Sequence, residues 1–467
     1  MSADLLIKGG TVVLPYSGDV RADLYVRDGR VAALLAPDSG QTAERVIDAT
    51  GRHVLPGVID PHVHFGLGNG MEDWATESRS AAAGGVTTVF SFLMSGQSYL
   101  PEIEATRRVA DATSHVDYGL HVVPCAPVHL DEMDRYVAAG ITSFKYFTSF
   151  RGSEGAYLGV EGTDDGFLHA YLEQVAGYPG ALACVHPENI EVVWRLRARL
   201  QAEGRDGLEA WDASRPAAVE AECVYRAMFY AEQAGCPLYL VHLSGALPLR
   251  ELRAWRARFP TAPVYAETCP HFLTHHKEMP IGSLGKINPP LRSPADVDAL
   301  WTAIADGVID TIGSDHVPRR RDKKAGSIWT ASAGFPGTGA ILPVMLSEGV
   351  HRRGLPLRRV AELCAANPAR IMGCYPRKGS LQVGSDADIT IVDLDLQRTV
   401  TPELFQSYAD YSLYDGWTLT GWPVATIVRG QVVMDGGTVV GDSGWGRYLA
   451  RSGAAAAPSG ATAPATH

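Results

Sequence analysis

Four histidines, one lysine and one aspartate occur where they could together build a metal site. Two of the histidines stand one residue apart in His62-Val63-His64, just after the apolar run 54–59. Because side chains alternate along a strand, both imidazoles would project from the same face. Neutral imidazole is a common ligand of divalent metals. The other candidates lie within or at the ends of further apolar runs: Lys145, His186, His242 and Asp315.

Each of these residues taken alone also has a purely structural interpretation. A histidine that closes an apolar strand can be a hydrogen-bonded rim residue. Lys145 could extend its ammonium between helices, and Asp315 could cap the helix that follows it. All six residues, however, occur on strand candidates, nearly all of them at the same end. This joint pattern predicts a metal centre.

Lys145 requires a separate explanation, because Phe144 and Phe147 flank it closely. A buried ammonium beside metal ions would be repelled and costly to desolvate. Burial near cations lowers the pKa of a lysine and leaves a neutral amine, which can react with carbon dioxide. The resulting carbamate has two anionic oxygens and could bridge two metal ions.

Eight apolar runs form the framework that would position these residues. Most gaps between them show helix-compatible patterns, and eight alternating strands and helices over about 250 residues predict a (β/α)8 barrel. Active sites of such barrels lie at the carboxyl ends of the strands. The runs are 54–59, 86–93, 119–124, 141–147, 181–186, 237–243, 263–267 and 308–313.

A doubly wound sheet is the competing architecture for this alternation. It would be expected to carry Gly-x-Gly-x-x-Gly directly after a strand. The glycine-rich run 334–339 does not have that spacing. The barrel is therefore the favoured fold.

Both ends of the chain have a different pattern, with short alternating strands broken by Gly and Asp. Asp28-Gly29 between two apolar runs is a strong hairpin signal. Similar β-rich ends predict a small β-sandwich domain assembled from both termini. The predicted domains are β-sandwich residues 1–53, the metal-dependent barrel 54–376, β-sandwich residues 377–448 with a C-terminal extension, and a disordered low-complexity tail 449–467.

The composition excludes several classes of partner. The formal net charge is −11 and no dense block of Lys and Arg occurs, so we expect neither nucleic acid nor an anionic membrane as a partner. No secretory signal is visible, and no apolar run reaches membrane-spanning length. Seven scattered cysteines are typical of buried thiols in a reducing compartment. These features predict a cytoplasmic protein.

The motifs together resemble the amidohydrolase superfamily, and specifically its cyclic amidase branch of dihydropyrimidinases, hydantoinases, allantoinases and dihydroorotases. The resemblance covers nearly the whole chain. Its segments are His62-Val63-His64, Lys145, His186, His242, 267–270, 288–292, Ser314-Asp315-His316-Val317-Pro318, 367–373 and 377–388.

This resemblance implies a distorted (β/α)8 barrel, a β-domain from both termini and a site with two metals. His62, His64 and Asp315 would bind one divalent ion, usually zinc. His186 and His242 would bind the other, and carboxylated Lys145 would bridge the two. A hydroxide shared by the metals would attack the amide carbonyl of a ring. Asp315 would act as general base and then as general acid toward the departing nitrogen.

Two departures bear on which ring is opened. Dihydroorotases typically carry an arginine shortly after the His-x-His pair, and this chain has Phe65-Gly66 there, which disfavours an anionic ring. Hydantoinases and dihydropyrimidinases usually place a tyrosine five residues after the bridging lysine to stabilise the oxyanion. This chain has Phe150 at that position. Tyr157 in the following loop could replace that tyrosine, or could simply pack.

The resemblance also predicts how the ring is bound. Backbone groups of Asn288 and Ala333 would contact its amide groups. Phe65, Leu93 and Phe150 could line an apolar pocket for a ring substituent, with ordinary core packing as the alternative for each. Residues 408–422 resemble hydantoinases and dihydropyrimidinases more than allantoinases.

We therefore expect a hydantoinase- or dihydropyrimidinase-like hydrolase first, an allantoinase-like hydrolase second and a dihydroorotase third, while Phe150 leaves room for another cyclic imide or lactam. A non-catalytic scaffold related to dihydropyrimidinase is the rival from a different class. It is disfavoured because all six ligand positions are filled by competent residues. The resemblance suggests a homotetramer or homodimer.

Overall fold

The apolar runs form an eight-stranded parallel sheet in the computed structural model, which describes residues 3–38, 40–156 and 162–452. The strands pair in chain order. A parallel bridge from Val63 to His316 joins the end of the eighth strand to the first, and the predicted barrel is confirmed. In order, the strands are Val58–Val63, Val86–Leu93, Asp117–Val122, Ser143–Phe147, Leu182–His186, Leu238–Leu240, Val264–Thr268 and Thr311–Ile312.

The first apolar run is divided between two sheets at Gly57. His53–Pro56 pairs with strands of the small β-domain, whereas Val58–Val63 enters the barrel. A Cβ at Gly57 would lie 2.2 Å from the Thr87 hydroxyl oxygen, so only glycine allows this close approach. The change of sheet therefore falls at Gly57, three residues after the predicted start of the barrel domain.

Most of the helices surround the barrel strands. The helix Ala217–Ala234 illustrates why these segments are helical: its buried residues recur at three- and four-residue spacing, and it ends at Gly235, which adopts φ 66°. The α-helices are Asp73–Ala83, Leu100–Thr113, Pro127–Asp131, Met133–Ala138, Gly152–Ala156, Asp165–Ala176, Ile190–Ala202, Gly207–Ser214, Ala217–Ala234, Ala246–Arg258, Pro294–Ala305, Ile341–Val344, Leu357–Ala361 and Asn367–Ile371. Wider or tighter turns are Gly70–Glu72, Gly282–Gly285, Arg321–Lys324, Thr338–Ala340, Met345–His351, Glu362–Ala366 and Pro402–Phe405.

Both ends of the chain build the β-domain, as predicted. One sheet has the spatial order Arg30–Leu35, Asp23–Arg27, Ala3–Lys8 and Ala43–Asp48. The other has the order Thr438–Val439, Gln431–Asp435, Thr418–Val428, Ile389–Thr399, His53–Pro56, Thr11–Leu14 and Gly18–Arg21. Apolar residues of both ends share one core, with Ile7 and Leu24 beside Ile389 and Ile427. A β-sandwich from both termini is therefore confirmed.

The chain remains packed beyond residue 448, where the tail was predicted to begin. The Leu449 amide donates to the Tyr118 carbonyl, and the buried Arg451 guanidinium donates to the Leu120 carbonyl and the Ser143 hydroxyl. The low-complexity composition starts only after these residues, so the predicted boundary is too early. Residues 453–467 lie outside the described part of the chain. In that described part, we find no helix that is both long and apolar enough to span a bilayer.

Candidate metal centre and active site

Three of the predicted ligands meet where the first and eighth strands end. Asp315 Oδ1 lies 3.1 Å from His62 Nε2 and 3.3 Å from His64 Nε2. The potential donor atoms of the three residues lie within 4.8 Å of one another, and all three residues are buried. The alternation predicted for His62 and His64 thus delivers both rings to one carboxylate.

The other three predicted ligands adjoin this group. Lys145 Nζ lies 2.7 Å from His62 Nε2, and His186 Nδ1 lies 2.8 Å from His242 Nε2. His64, Lys145, His186, His242 and Asp315 line one cavity, and His62 is fully buried beside it. The structure therefore brings all six predicted ligands together.

The donor set fits divalent metal ions. Imidazole nitrogens, a carboxylate and an amine converge in a buried space, and the Nδ1 atoms of His64 and His242 have no hydrogen-bond partner in the described chain. Nitrogen and oxygen donors of this kind suit zinc and its neighbours in the first transition row. The protein therefore has a candidate metal site at the carboxyl ends of its barrel strands.

Two of the predicted ligands have an uncommon backbone conformation. His242 adopts φ 43° and Asp315 adopts φ 49°, in the left-handed region that residues other than glycine seldom occupy. Such conformations cost about 1–3 kcal/mol each and cluster at functional sites. Both residues follow the end of a short strand, so this turn of the backbone aims their side chains at the centre of the barrel.

The surroundings of the site lower the pKa values of both Lys145 and Asp315. Burial lowers the pKa of Lys145 to about 8, although Asp315 and Glu267 oppose the shift. Burial alone would raise the pKa of Asp315, but His62 and His64 outweigh it and hold that pKa well below its usual value. Lys145 therefore has an accessible neutral form, while Asp315 is ionised at neutral pH.

Glu267 contacts predicted ligands of two strands. Its Oε1 lies 2.7 Å from His62 Nδ1 and accepts the His242 amide at 3.0 Å, while Oε2 accepts the Tyr239 hydroxyl at 2.8 Å. The Nδ1 contact leaves His62 Nε2 facing Asp315 and Lys145. Sequence reasoning placed Glu267 in a family motif but gave it no role.

His186 is oriented by a buried ion pair that the sequence analysis missed. Its Nε2 lies 2.8 Å from Glu188 Oε2, which also accepts Arg215 Nη1 at 2.9 Å. Burial raises the pKa of Glu188, but Arg215 and His186 more than offset it and lower that pKa to about 2. His186 Nδ1 is thereby turned to His242. The signal that could have revealed Glu188 is its position two residues after His186.

The cavity beside the ligands has a volume of about 320 Å³. Of the predicted substrate contacts, Asn288, Ala333 and Phe150 line it. The Phe150 ring stacks on Phe147, with centroids 4.0 Å apart. The further lining residues that were not predicted include Met94, Glu154, Arg215 and Arg319.

Two predicted pocket residues point elsewhere, and a third is not described. Phe65 packs on Trp74 and His316, with centroids 5.3 and 5.7 Å away, because strand alternation turns residue 65 away from the face that carries His64. Leu93 lies in the core cluster and not on the cavity wall. The pocket role expected for Phe65 and Leu93 is therefore corrected. Tyr157 lies outside the described residues.

Comparisons with known proteins agree with this geometry. The family model described as "Amidohydrolase family" matches residues 282–433. An L-hydantoinase of Paenarthrobacter aurescens is 35% identical over 96% of this chain and 98% of its own length. An allantoinase of Rubrobacter xylanophilus is 36% identical over 94% of this chain and 96% of its own. The crystal structure of a dihydropyrimidinase from Brevibacillus agri superposes with a TM-score of 0.89 at 32% identity, covering 96% of this chain and 99% of that one.

Proposed function

Because this chain belongs to the cyclic amidase branch of the amidohydrolase superfamily, we propose that it is a metal-dependent hydrolase of carbon–nitrogen bonds in cyclic amides, with hydantoins or dihydropyrimidines as substrates. The observation that carries the proposal is the convergence of the six ligand residues on one cavity. A scaffold protein would have no physical need for a buried lysine among four imidazoles and a carboxylate.

We infer that two divalent zinc ions complete the site. His62, His64 and Asp315 would hold one and His186 with His242 the other. The neutral Lys145 amine would add to carbon dioxide and lose one proton, and the carbamate formed would bridge the two ions. When bound, the ions supply Lewis acidity that polarises an amide carbonyl and brings the pKa of water towards about 7.

Asp315 is the residue of this chain that moves the proton. Its low pKa keeps the carboxylate ionised and able to accept a proton from the attacking water. It would return this proton to the ring nitrogen as the carbon–nitrogen bond breaks. Water is thus added across the amide, the carbonyl carbon becomes a carboxylic acid, and the nitrogen leaves as part of the opened chain.

Asn288 and Ala333 would bind the ring through their backbones. Both line the cavity. In the described part of the chain, neither the N–H nor the C=O of either residue takes part in a hydrogen bond. Unpaired backbone groups on a cavity wall favour a ligand that offers both donors and acceptors, as a cyclic amide does.

An allantoinase-like activity is the second candidate, and the similarity to the Rubrobacter xylanophilus allantoinase favours it. Ring opening by protein prepared with zinc and bicarbonate would separate the candidates on dihydrouracil, 5-substituted hydantoins, allantoin, dihydroorotate and succinimide. We expect turnover of dihydrouracil or a hydantoin. Turnover of allantoin alone would establish the second candidate. No turnover of any ring by protein that contains two metal ions would contradict both.

We further propose a cytoplasmic homotetramer or homodimer. All seven cysteines are buried and free, which supports a reducing compartment. Tyr225 and Phe229 are 45% and 44% exposed and stack on one face of the helix Ala217–Ala234, which supports self-association. Light scattering at micromolar concentration would test the assembly, and a mass of one chain would contradict it.

A further inference from the structure

Lys324 is a completely buried lysine that the proposed mechanism does not use. Its side-chain nitrogen donates to three backbone carbonyls, at 2.8 Å to Lys286, 2.9 Å to Ser332 and 2.9 Å to Gly334. No carboxylate of the described chain forms an ion pair with it. A buried amino group is costly unless its donors are used, and three carbonyls lie within hydrogen-bond distance of this one. Burial, with Lys286 and Arg319 nearby, lowers the pKa of Lys324 well below its usual value.

The three carbonyls belong to the two loops that form the cavity wall. Lys286 stands two residues before Asn288, while Ser332 and Gly334 flank Ala333. The Gly334 amide also donates to the Lys286 carbonyl, at 3.0 Å. Lys324 and this backbone bond therefore join the two loops.

These bonds fix the orientation of both peptides at Ala333. In a trans peptide the C=O and the N–H point in opposite directions. The Ser332 carbonyl is directed to Lys324, so the N–H of Ala333 points away from Lys324. The Gly334 N–H is directed to the Lys286 carbonyl, so the C=O of Ala333 also points away. Both groups of Ala333 are thereby left without a protein partner on a residue that lines the cavity.

We propose that Lys324 is a positioning residue that turns the backbone N–H and C=O of Ala333 towards the bound ring, and so sets the discrimination in favour of an unsubstituted ring amide. This inference rests on the proposed function. Lys324 itself touches neither metal nor ring. It acts by holding the hydrogen-bonding pattern that recognises a secondary amide.

The test compares Lys324→Met with the wild type on hydantoin, 1-methylhydantoin and 3-methylhydantoin. A methyl group on a ring nitrogen removes the N–H that would donate a hydrogen bond to the Ala333 carbonyl. We expect the KM for hydantoin to rise at least about tenfold, with a smaller change in kcat, because misdirected backbone groups would weaken binding of the ring. The preference for hydantoin over at least one methylated ring should fall by a similar factor.

Controls separate positioning from general damage. Lys323→Met removes the neighbouring ammonium, whose side chain is 66% exposed, and should leave KM and the preference unchanged. Metal content and the melting temperature are measured for each variant. If Lys324→Met does not fold, Lys324→Gln, which keeps two donors and no charge, is read in the same way.

Unchanged preference for hydantoin over both methylated rings, in a folded and metal-loaded variant, would overturn the positioning role while leaving the hydrolase intact. A wild type that opens hydantoin but not in preference to either methylated ring would also overturn it. A wild type that opens no ring would instead overturn the proposed function, and this inference with it.

Discussion

The nitrogen of Lys145 lies 2.7 Å from Nε2 of His62, and both side chains are buried. They reach this point from the fourth and the first barrel strands. Two protonated cations could not share such a distance in a poorly solvated site. The pair is therefore compatible with a neutral amine at Lys145.

Reconstitution of the metal-free protein should depend on pH through Lys145. Burial lowers the pKa of Lys145 to about 8. The fraction of lysine in the neutral form, which attacks carbon dioxide, therefore increases as the pH rises from 7 to 9. At constant dissolved carbon dioxide, the rate at which zinc restores activity should increase about tenfold over this interval. Activity assays on samples withdrawn at successive times after zinc addition would measure this rate. A rate that stays flat, or falls, would contradict carbamate formation as the limiting step.

Glu267→Gln should weaken metal binding while leaving the fold intact. The substitution keeps the shape of the side chain but removes the negative charge beside His62 Nδ1. Loss of such a partner typically weakens metal affinity about 10–100-fold. Competition with a chelator would measure the affinity. Glu104→Gln, on an exposed surface carboxylate, is the matched control and should have no effect. Equal affinities for the two variants would show that Glu267 does not support the site.

Arg215→Met should destabilise the protein by about 3–5 kcal/mol, because it leaves Glu188 as an uncompensated buried charge. The midpoint of urea unfolding would report the loss. Arg108→Met breaks an exposed pair with Glu104 and should cost no more than about 1 kcal/mol. Adding Glu188→Gln to Arg215→Met should restore part of the stability, and no restoration would contradict the ion pair as the cause.

Phe150→Tyr should raise turnover. Phe150 lines the cavity and stacks on Phe147, and the family resemblance implies an oxyanion-stabilising tyrosine at this position. A well-placed donor is worth about 10²–10³ in kcat, so even imperfect placement should give about a tenfold gain. Phe147→Tyr adds the same hydroxyl to the neighbouring ring and should not give this gain. Initial rates on a hydantoin decide the matter, and equal rates in Phe150→Tyr and the wild type would show that the new hydroxyl does not reach the reacting carbonyl.

Strand periodicity explains how much of this site could be predicted from the sequence. Alternation and strand ends suffice to bring His62, His64, His186, His242 and Asp315 to one face of a barrel. The same alternation, applied to Phe65, would have turned it away from the cavity. Glu188 could likewise have been assigned from its spacing to His186.

Other features depend on paths of the chain that carry no periodicity. The contacts of Lys324 with residues 286, 332 and 334 are made between irregular loops. Arg215 reaches Glu188 from the segment between two helices. The division of the first run at Gly57 depends on the approach of Thr87 from the next strand. None of these contacts leaves a local signal in the sequence.

The most direct test of the central claim is ring opening of hydantoin and dihydrouracil by the zinc-loaded wild type beside Asp315→Asn. Asparagine keeps the size of the side chain but cannot accept the proton. We predict turnover by the wild type and a loss of at least about 10³-fold in kcat in the variant, within the range for removing a general acid–base group. Turnover by Asp315→Asn at the wild-type rate would contradict the account.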